Sequence, residues 1–519
     1  MAATQTLTIA SGGILRAGGS TSTISGGTGI TTTSGGDYVI RTDLAGDAIT
    51  IFTPLVASGT NALVKTGAGT LNLQGSNGLT GGIYVNQGTL TFNTNYSSSD
   101  TTGSLGTGAK NITLNGGTLK NASANTFNPT ATGLKIVVNT AGGVIDLNGA
   151  QFQLDDANQL TGAGNLTFTN TSATANTVLL GNATGPVNHT SFTGNMFITA
   201  PSGGVTLKLV TANAAGVSGN TIVMGSNSAL DLQATINNNV VIGGTGIAGA
   251  GAIISSATGG GVASGYTITL TSNTLINQAN SLTLSGSIVD NGAGYVLTKN
   301  GASWLNLAGA NTYSGGTIWN SASSQLAISN NQGLGTGALV VDGTGANFVG
   351  TGSGSWLFNN SVILNTDIIF GAGVHSGNVA FQGSLNLDAA TRGVNVYWPT
   401  QTYTFNGPVS NGSLNVTGRG TFALAGGGSL SGPLTVAAGS TLSLGGVNLA
   451  GVTTLSVGTS VSSTLNLTAD AVGTLATFGT NVGSMTLGSA TSQAGIGLQL
   501  GSTFSITGTG TGYAATTND

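Results

Sequence analysis

Residues 63–86 read LVKTGAGTLNLQGSNGLTGGIYVN, and residues 297–320 read LTKNGASWLNLAGANTYSGGTIWN. The two stretches align without a gap at an offset of 234 residues and share 12 of 24 positions. Self-similarity over a unit of this size marks a chain whose supersecondary units stack along an axis. Such a chain displays an elongated surface. It does not close around a single pocket.

The template recurs. Residues 416–444, VTGRGTFALAGGGSLSGPLTVAAGSTLSL, place Gly420, Leu424, Gly426 and Gly432 where the first copy has Gly69, Leu73, Gly75 and Gly81. A weaker copy lies near 178–209. The equivalent leucines Leu73, Leu180, Leu307 and Leu424 stand 107, 127 and 117 residues apart. The reading is about four superrepeats of roughly 117 residues, at approximately 49–165, 166–280, 281–400 and 401–519. No Pro-rich or charged linker separates them, so 1–519 reads as one continuous domain.

Within each unit the secondary-structure signal is strand. TLNL at 70–73, NITL at 111–114, SLTL at 281–284 and TLSL at 441–444 alternate apolar and polar residues between Gly, Asn, Ser or Asp corners. That is period-two patterning with turn punctuation. Glu is absent and no long stretch has a 3.6-residue apolar spacing, so almost no helix is expected. Short strands with glycine and asparagine corners suit an all-β, right-handed parallel β-helix. Inward Leu, Ile and Val of one turn stack on those of the next, and outward positions carry Thr, Ser and Asn. At about 20–25 residues per turn the chain would make on the order of 20–25 turns.

Composition narrows the function. Of 519 residues only 10 are Lys or Arg and 14 are acidic, all of them Asp. A net charge of −4 gives no electrostatic case for nucleic acid or an anionic membrane. Hydrophobic residues make up 39%, too many for a disordered Gly/Ser-rich chain of low charge. No run of about 18 apolar residues predicts a membrane helix. Cysteine is absent, which excludes disulfides and Cys-ligated metals. The N-terminal MAATQTLTIASGGIL lacks the basic start and apolar core of a signal peptide. Either a signal has been removed or export takes another route.

The runs at 63–92 and 297–320, with LGTGAKNITLNGGTL at 105–119, resemble the autotransporter-associated β-strand repeat of bacterial secreted passenger domains and surface proteins. The resemblance implies a β-helical protein of the bacterial exterior or cell surface. It brings no catalytic residues. A set of about twelve alternating membrane strands, as a translocator barrel requires, is not seen.

The chemical inventory is thin. His189 and His375 lie among small polar residues and read as surface or corner histidines. Asp155 and Asp156 are adjacent, so on a strand they would point to opposite faces and could not pair in one cleft. Asp43 and Asp47 share a corner but lack the acidic density of a calcium repeat. No G-K-[ST] follows the Gly-rich runs or Lys110, so no phosphate loop is read. No catalytic residue, cofactor or metal is expected.

Aromatics are the uneven feature. Trp304, Trp319, Trp356 and Trp398 all fall between 304 and 398, with Tyr313, Tyr397 and Tyr403 close by. Trp319 takes the place of inward Val85, and Trp304 that of outward Thr70. Trp304 and Tyr313 are the candidate surface contacts, since aromatic rings bind sugar faces or anchor partners. The expected protein is a structural β-solenoid that self-associates head to tail into filaments. An adhesin binding glycans or a surface partner is the second expectation. A carbohydrate-active enzyme is the third. The chain enters the strand pattern at 6–15 and leaves it at 503–519 without a polar or helical cap, which motivates the filament.

Overall fold

The computed structural model describes residues 1–457 apart from 11–12, 34–35, 57–58, 95, 97–102, 183–186, 353, 374–376 and 438. Beyond 457 it describes the strands Thr464–Thr468, Met485–Leu487 and Gly495–Leu498. His375 and the C-terminal exit at 503–519 lie outside the described residues. The chain is an all-β parallel β-solenoid of about 18 turns. Among the described residues helical structure is confined to two short 3-10 turns, Thr130–Thr132 and Ile247–Gly249. Two compact units are present, Met1–Ala346 and Asn347–Asp519.

In the first unit the stacking follows from alternation. Ile49, Leu71, Leu90, Leu119, Ile145, Phe168, Ile198 and Met224 are successive register partners in parallel strands. All eight are buried. One residue further along each strand runs an outward column, Thr50, Asn72, Thr91, Lys120, Asp146, Thr169 and Thr199. A single-residue slip would exchange the two columns, so the apolar set fixes the register. Each fully buried leucine contributes roughly 1.5–3 kcal/mol, repeated at every turn.

The turns are not equal. The steps from Leu71 to Leu90, Leu119, Ile145, Phe168 and Ile198 take 19, 29, 26, 23 and 30 residues. The expectation of 20–25 turns was too high for this reason: insertions enlarge the corners while the strands stay in step. Corners use residues that tolerate left-handed backbone. Gly67 has φ +74°, and a Cβ there would sit 2.2 Å from the carbonyl oxygen of Thr42 in the turn below.

The second unit has the same stacking with a more aromatic interior. Phe358, Phe381, Phe405, Leu424 and Leu444 form one buried column. Phe381 and Phe405 stack at 4.9 Å with an 11° interplanar angle, and Phe370 stacks on Tyr403 at 4.2 Å. Several strands here run long, as in Leu385–Val396 and Val409–Gly418. The chain bends within them at register shifts instead of leaving the sheet for a loop.

Candidate binding surface

The template copies build their corners from buried polar side chains. Lys65 and Lys299 occupy the same inward position and are fully buried. The Lys65 ammonium donates to the carbonyls of Thr66 and Gly67 at 2.7 Å and to that of Gln87, one turn on, at 3.1 Å. The Lys299 ammonium donates to the Gly301 carbonyl and, one turn on, to Ser321 Oγ at 3.0 Å. Burial, helped at Lys65 by the nearby Arg41 charge, lowers their pKa values to about 8 and about 7.

Twelve residues after each lysine comes a buried asparagine. Asn77 Oδ1 accepts the Leu55 amide at 2.7 Å from the turn below, and its Nδ2 donates to the Ser104 carbonyl at 2.6 Å in the turn above. Asn311 does the same between the Ile288 amide and the Gly333 carbonyl, at 2.8 and 2.7 Å. Each asparagine therefore fastens three successive turns. Both side-chain types were passed over in the sequence, although Lys65 is in phase with inward Leu63 and recurs in the second copy.

With this geometry in view, residues 63–92, 297–318 and 414–444 match the family model of the passenger-associated-transport-repeat. The chain is a passenger-type β-solenoid carrying these repeats. No curated protein and no solved structure matches it. Passenger repeats imply secretion to the bacterial surface.

The two candidate contact residues are not brought together. Tyr313 is fully buried, with its hydroxyl hydrogen-bonded to Thr317 Oγ1 at 2.6 Å, and burial pushes its pKa well above the usual tyrosine value. It stands where the first copy has buried Leu79, so it packs the interior of the passenger solenoid and offers no surface contact. Trp304 does lie on the outer side of strand Trp304–Leu307, but it is half-buried. Its Nε1 is shielded and has no partner among the described residues, as is Nε2 of its register neighbour Gln325. Trp319 is inside, as its place in the alternation requires. Its indole N–H donates to Ser324 Oγ at 2.7 Å, and Ser324 in turn contacts Ser321 Oγ at 2.6 Å. Strand pairing equates Trp304–Gln325 with Thr70–Thr89, so the second copy carries two extra residues at this corner. Those residues bring Ser324 to the indole that replaces Val85. The Lys299–Ser321–Ser324 chain sets hydroxyls beside an amine, yet it is sealed inside and no substrate reaches it.

The other candidates serve the fold. His189 is fully buried, not at the surface, and neither ring nitrogen has a hydrogen-bond partner among the described residues. Burial lowers its pKa to about 4, so it is neutral at physiological pH. Asp47 accepts the amides of Gly19, Ser20 and Leu44, while Asp43 pairs with Arg41. Asp155 accepts from Asn128 and Gln153. Asp290 closes a corner: burial raises its pKa, but hydrogen bonds from Ser314, Gly292 and Tyr295 outweigh this and hold it at about 2. Among the described residues no group of three His or Asp side chains is placed to hold a metal.

On the outer face the charges form ladders. Lys120 and Asp146 are register partners on adjacent turns, with Nζ 3.0 Å from Oδ2. Asp146 also accepts from the amide and hydroxyl of Thr171, one turn further, at 3.1 and 2.7 Å. Lys208, Asp231 and Ser256 repeat the arrangement, with the Ser256 hydroxyl 2.6 Å from Asp231. The sequence signal was a Lys and an Asp one turn apart at outward positions. Around Lys120 and Asp146 the outer face is concave. Thr70, Asn72, Thr89, Thr91, Thr118 and Thr169 line a trough of about 530 Å³.

Proposed function

We propose that this passenger-type solenoid is a structural element of the bacterial exterior whose first turns self-associate, stacking copies end to end into filaments. The observation that carries the reading is the distribution of exposed apolar side chains. Eight of the ten large ones among the described residues fall within the first 84 positions: Met1, Leu7, Leu15, Val39, Leu44, Phe52, Val56 and Tyr84. Further along, outward positions of the first unit are mostly Thr, Asn and Ser. An apolar collar of this kind marks a surface that is covered in use. Beside it, among the described residues, strands Thr6–Ile9, Gly13–Arg16 and Thr21–Ile24 each pair on one side only, with Gly29–Thr32, Tyr38–Thr42 and Ala48–Ile51. Open strand edges next to apolar side chains favour pairing with another chain, and a heterologous contact of this type extends without closing. The reading assigns no turnover to the chain.

The test is negative-stain electron microscopy with light scattering across a concentration series, on the wild type and on Leu15→Lys/Val39→Lys. Filaments or concentration-dependent growth that the double variant abolishes would support the proposal. A monodisperse monomer at high concentration would end it. A glycan-binding adhesin is the second reading, and the outer trough is the feature that favours it.

A further inference from the structure

We propose that the trough over strands Thr70–Gln74, Thr89–Asn93, Thr118–Asn121, Gly143–Asp146 and Leu166–Thr169 binds an uncharged polysaccharide strand laid across the turns. The inference stands apart from self-association, because it rests on polar hydroxyls and not on exposed apolar side chains.

Three features define the ligand. The first is a hydrogen-bonding group open to a ligand. Thr91 is only 6% exposed, and its hydroxyl faces the trough with no partner among the described residues. Because it opens onto the trough, this hydroxyl can pair with a ligand hydroxyl, a group that both donates and accepts.

The second feature is charge. The lining holds one cation and one anion, Lys120 and Asp146, and they already bind each other and Thr171. Their charges offset each other, so the lining offers no net charge to an ionic ligand. With Val144 the lone apolar side chain in the lining, a greasy ligand would gain little.

The third feature is spacing. Thr70, Thr89 and Thr118 are register partners, so their hydroxyls recur at each turn, at the strand spacing of roughly 4.8 Å. The hydroxyls of successive sugars in an extended glycan can pair with successive threonine rows. An extended peptide, at roughly 3.3 Å per residue, falls out of step with the rows.

The experiment is isothermal titration of the full chain with cellohexaose, mannohexaose and maltohexaose, with polygalacturonate and a polar extended peptide as comparisons. At least one neutral hexasaccharide should bind, with an affinity indifferent to salt because no ion pair is made. The Thr89→Val/Thr91→Val/Thr118→Val variant should weaken that binding by about tenfold or more. Valine keeps the β-branched shape, so the strands should persist; an unchanged melting temperature checks this, and Asn72→Leu supplies a second variant at the same face. Thr206→Val, outward on strand Val205–Leu209 and outside the trough, should change nothing. The proposal is overturned if none of the three hexasaccharides binds. It is equally overturned if the peptide or the acidic polymer alone binds, if the triple variant binds undiminished, or if Thr206→Val weakens binding as much as the triple variant does.

Discussion

The repeats at 63–92 and 297–318 hold their corners with a buried lysine and a buried asparagine; the repeat at 414–444 holds the same corner with neither. In register with Lys65 and Lys299 the third copy has Val416, and with Asn77 and Asn311 it has Gly428. Val416 is fully buried, and Gly428 takes φ +96°. The third copy also replaces Leu71 with Phe422, which lies 5.8 Å from Phe405 and 6.3 Å from Phe370. One template is therefore secured in two ways. Directional hydrogen bonds from buried polar groups fasten these corners in the first two copies and apolar packing with rings replaces them in the third, although rings from Phe92 to Phe168 also stack in the first unit. The polar route carries a desolvation cost that the aromatic route avoids. In return it names its partners, because an ammonium or amide is satisfied at one register only.

The comparison can be broken most forcefully where all copies agree. Leu73, Leu307 and Leu424 are equivalent and buried. Leu307→Asp and Leu424→Asp should each destabilise by about 3–5 kcal/mol or more, since an uncompensated charge enters the interior. Thr70→Asp, outward in the first copy, should be mild. Equal losses of melting temperature for the inward and outward changes would refute the register.

Next comes pH. Lys65 and Lys299 have folded pKa values of about 8 and about 7 against an ordinary 10.5. Between those values the unfolded chain binds more protons than the folded one, so stability rises with pH from about 7 to 9.5 and is lowest below 7. Above that window the buried tyrosines, whose pKa values are raised, oppose the trend. Lys299→Met should flatten the rise by about 3 kcal/mol over the window. Val416→Lys should create a slope in the repeat that lacks one. Denaturant titrations at pH 7 and 9.5 measure both, and an unchanged slope in Lys299→Met would show that its ammonium is not desolvated.

The asparagine staple is a smaller effect. Asn77→Ala and Asn311→Ala each strand a buried amide and leave a carbonyl without its donor, at a cost of about 1–3 kcal/mol. Gly428→Ala should also destabilise, by a different route: a Cβ there meets the Val409 carbonyl oxygen at 2.1 Å in a left-handed conformation. Hydrogen exchange separates the two. The asparagine variants should expose the Leu55 or Ile288 amide locally, whereas the glycine variant should shift the whole turn.

Smallest of all should be Trp304→Ala, which removes an outward, half-covered ring and should change stability by about 1 kcal/mol or less. A loss as large as that of a buried leucine would mean that Trp304 belongs to the core.

Much of this was legible in the sequence. Alternation placed Trp319 inside and Trp304 outside, and the strands at 70–73, 111–114 and 441–444 lie where the pattern put them. Tyr313 was misplaced because it stands in a corner, between strands, where no alternation assigns a face. His189 was misplaced for the same reason; it lies among Thr, Gly and Asn, and only the packing of neighbouring turns around it closes off solvent.

By itself the sequence determined the repeat, the parallel stacking and the inward apolar column. These depend on period-two spacing and on corner residues, which are local properties. Only the tertiary structure decided that Lys65 and Lys299 are buried, that Lys120 and Asp146 meet across a turn, and that Thr91 faces a trough. Each of those facts depends on residues some 20–30 positions away in the next turn. That distance varies from corner to corner, so the partners are known only once the turns are stacked.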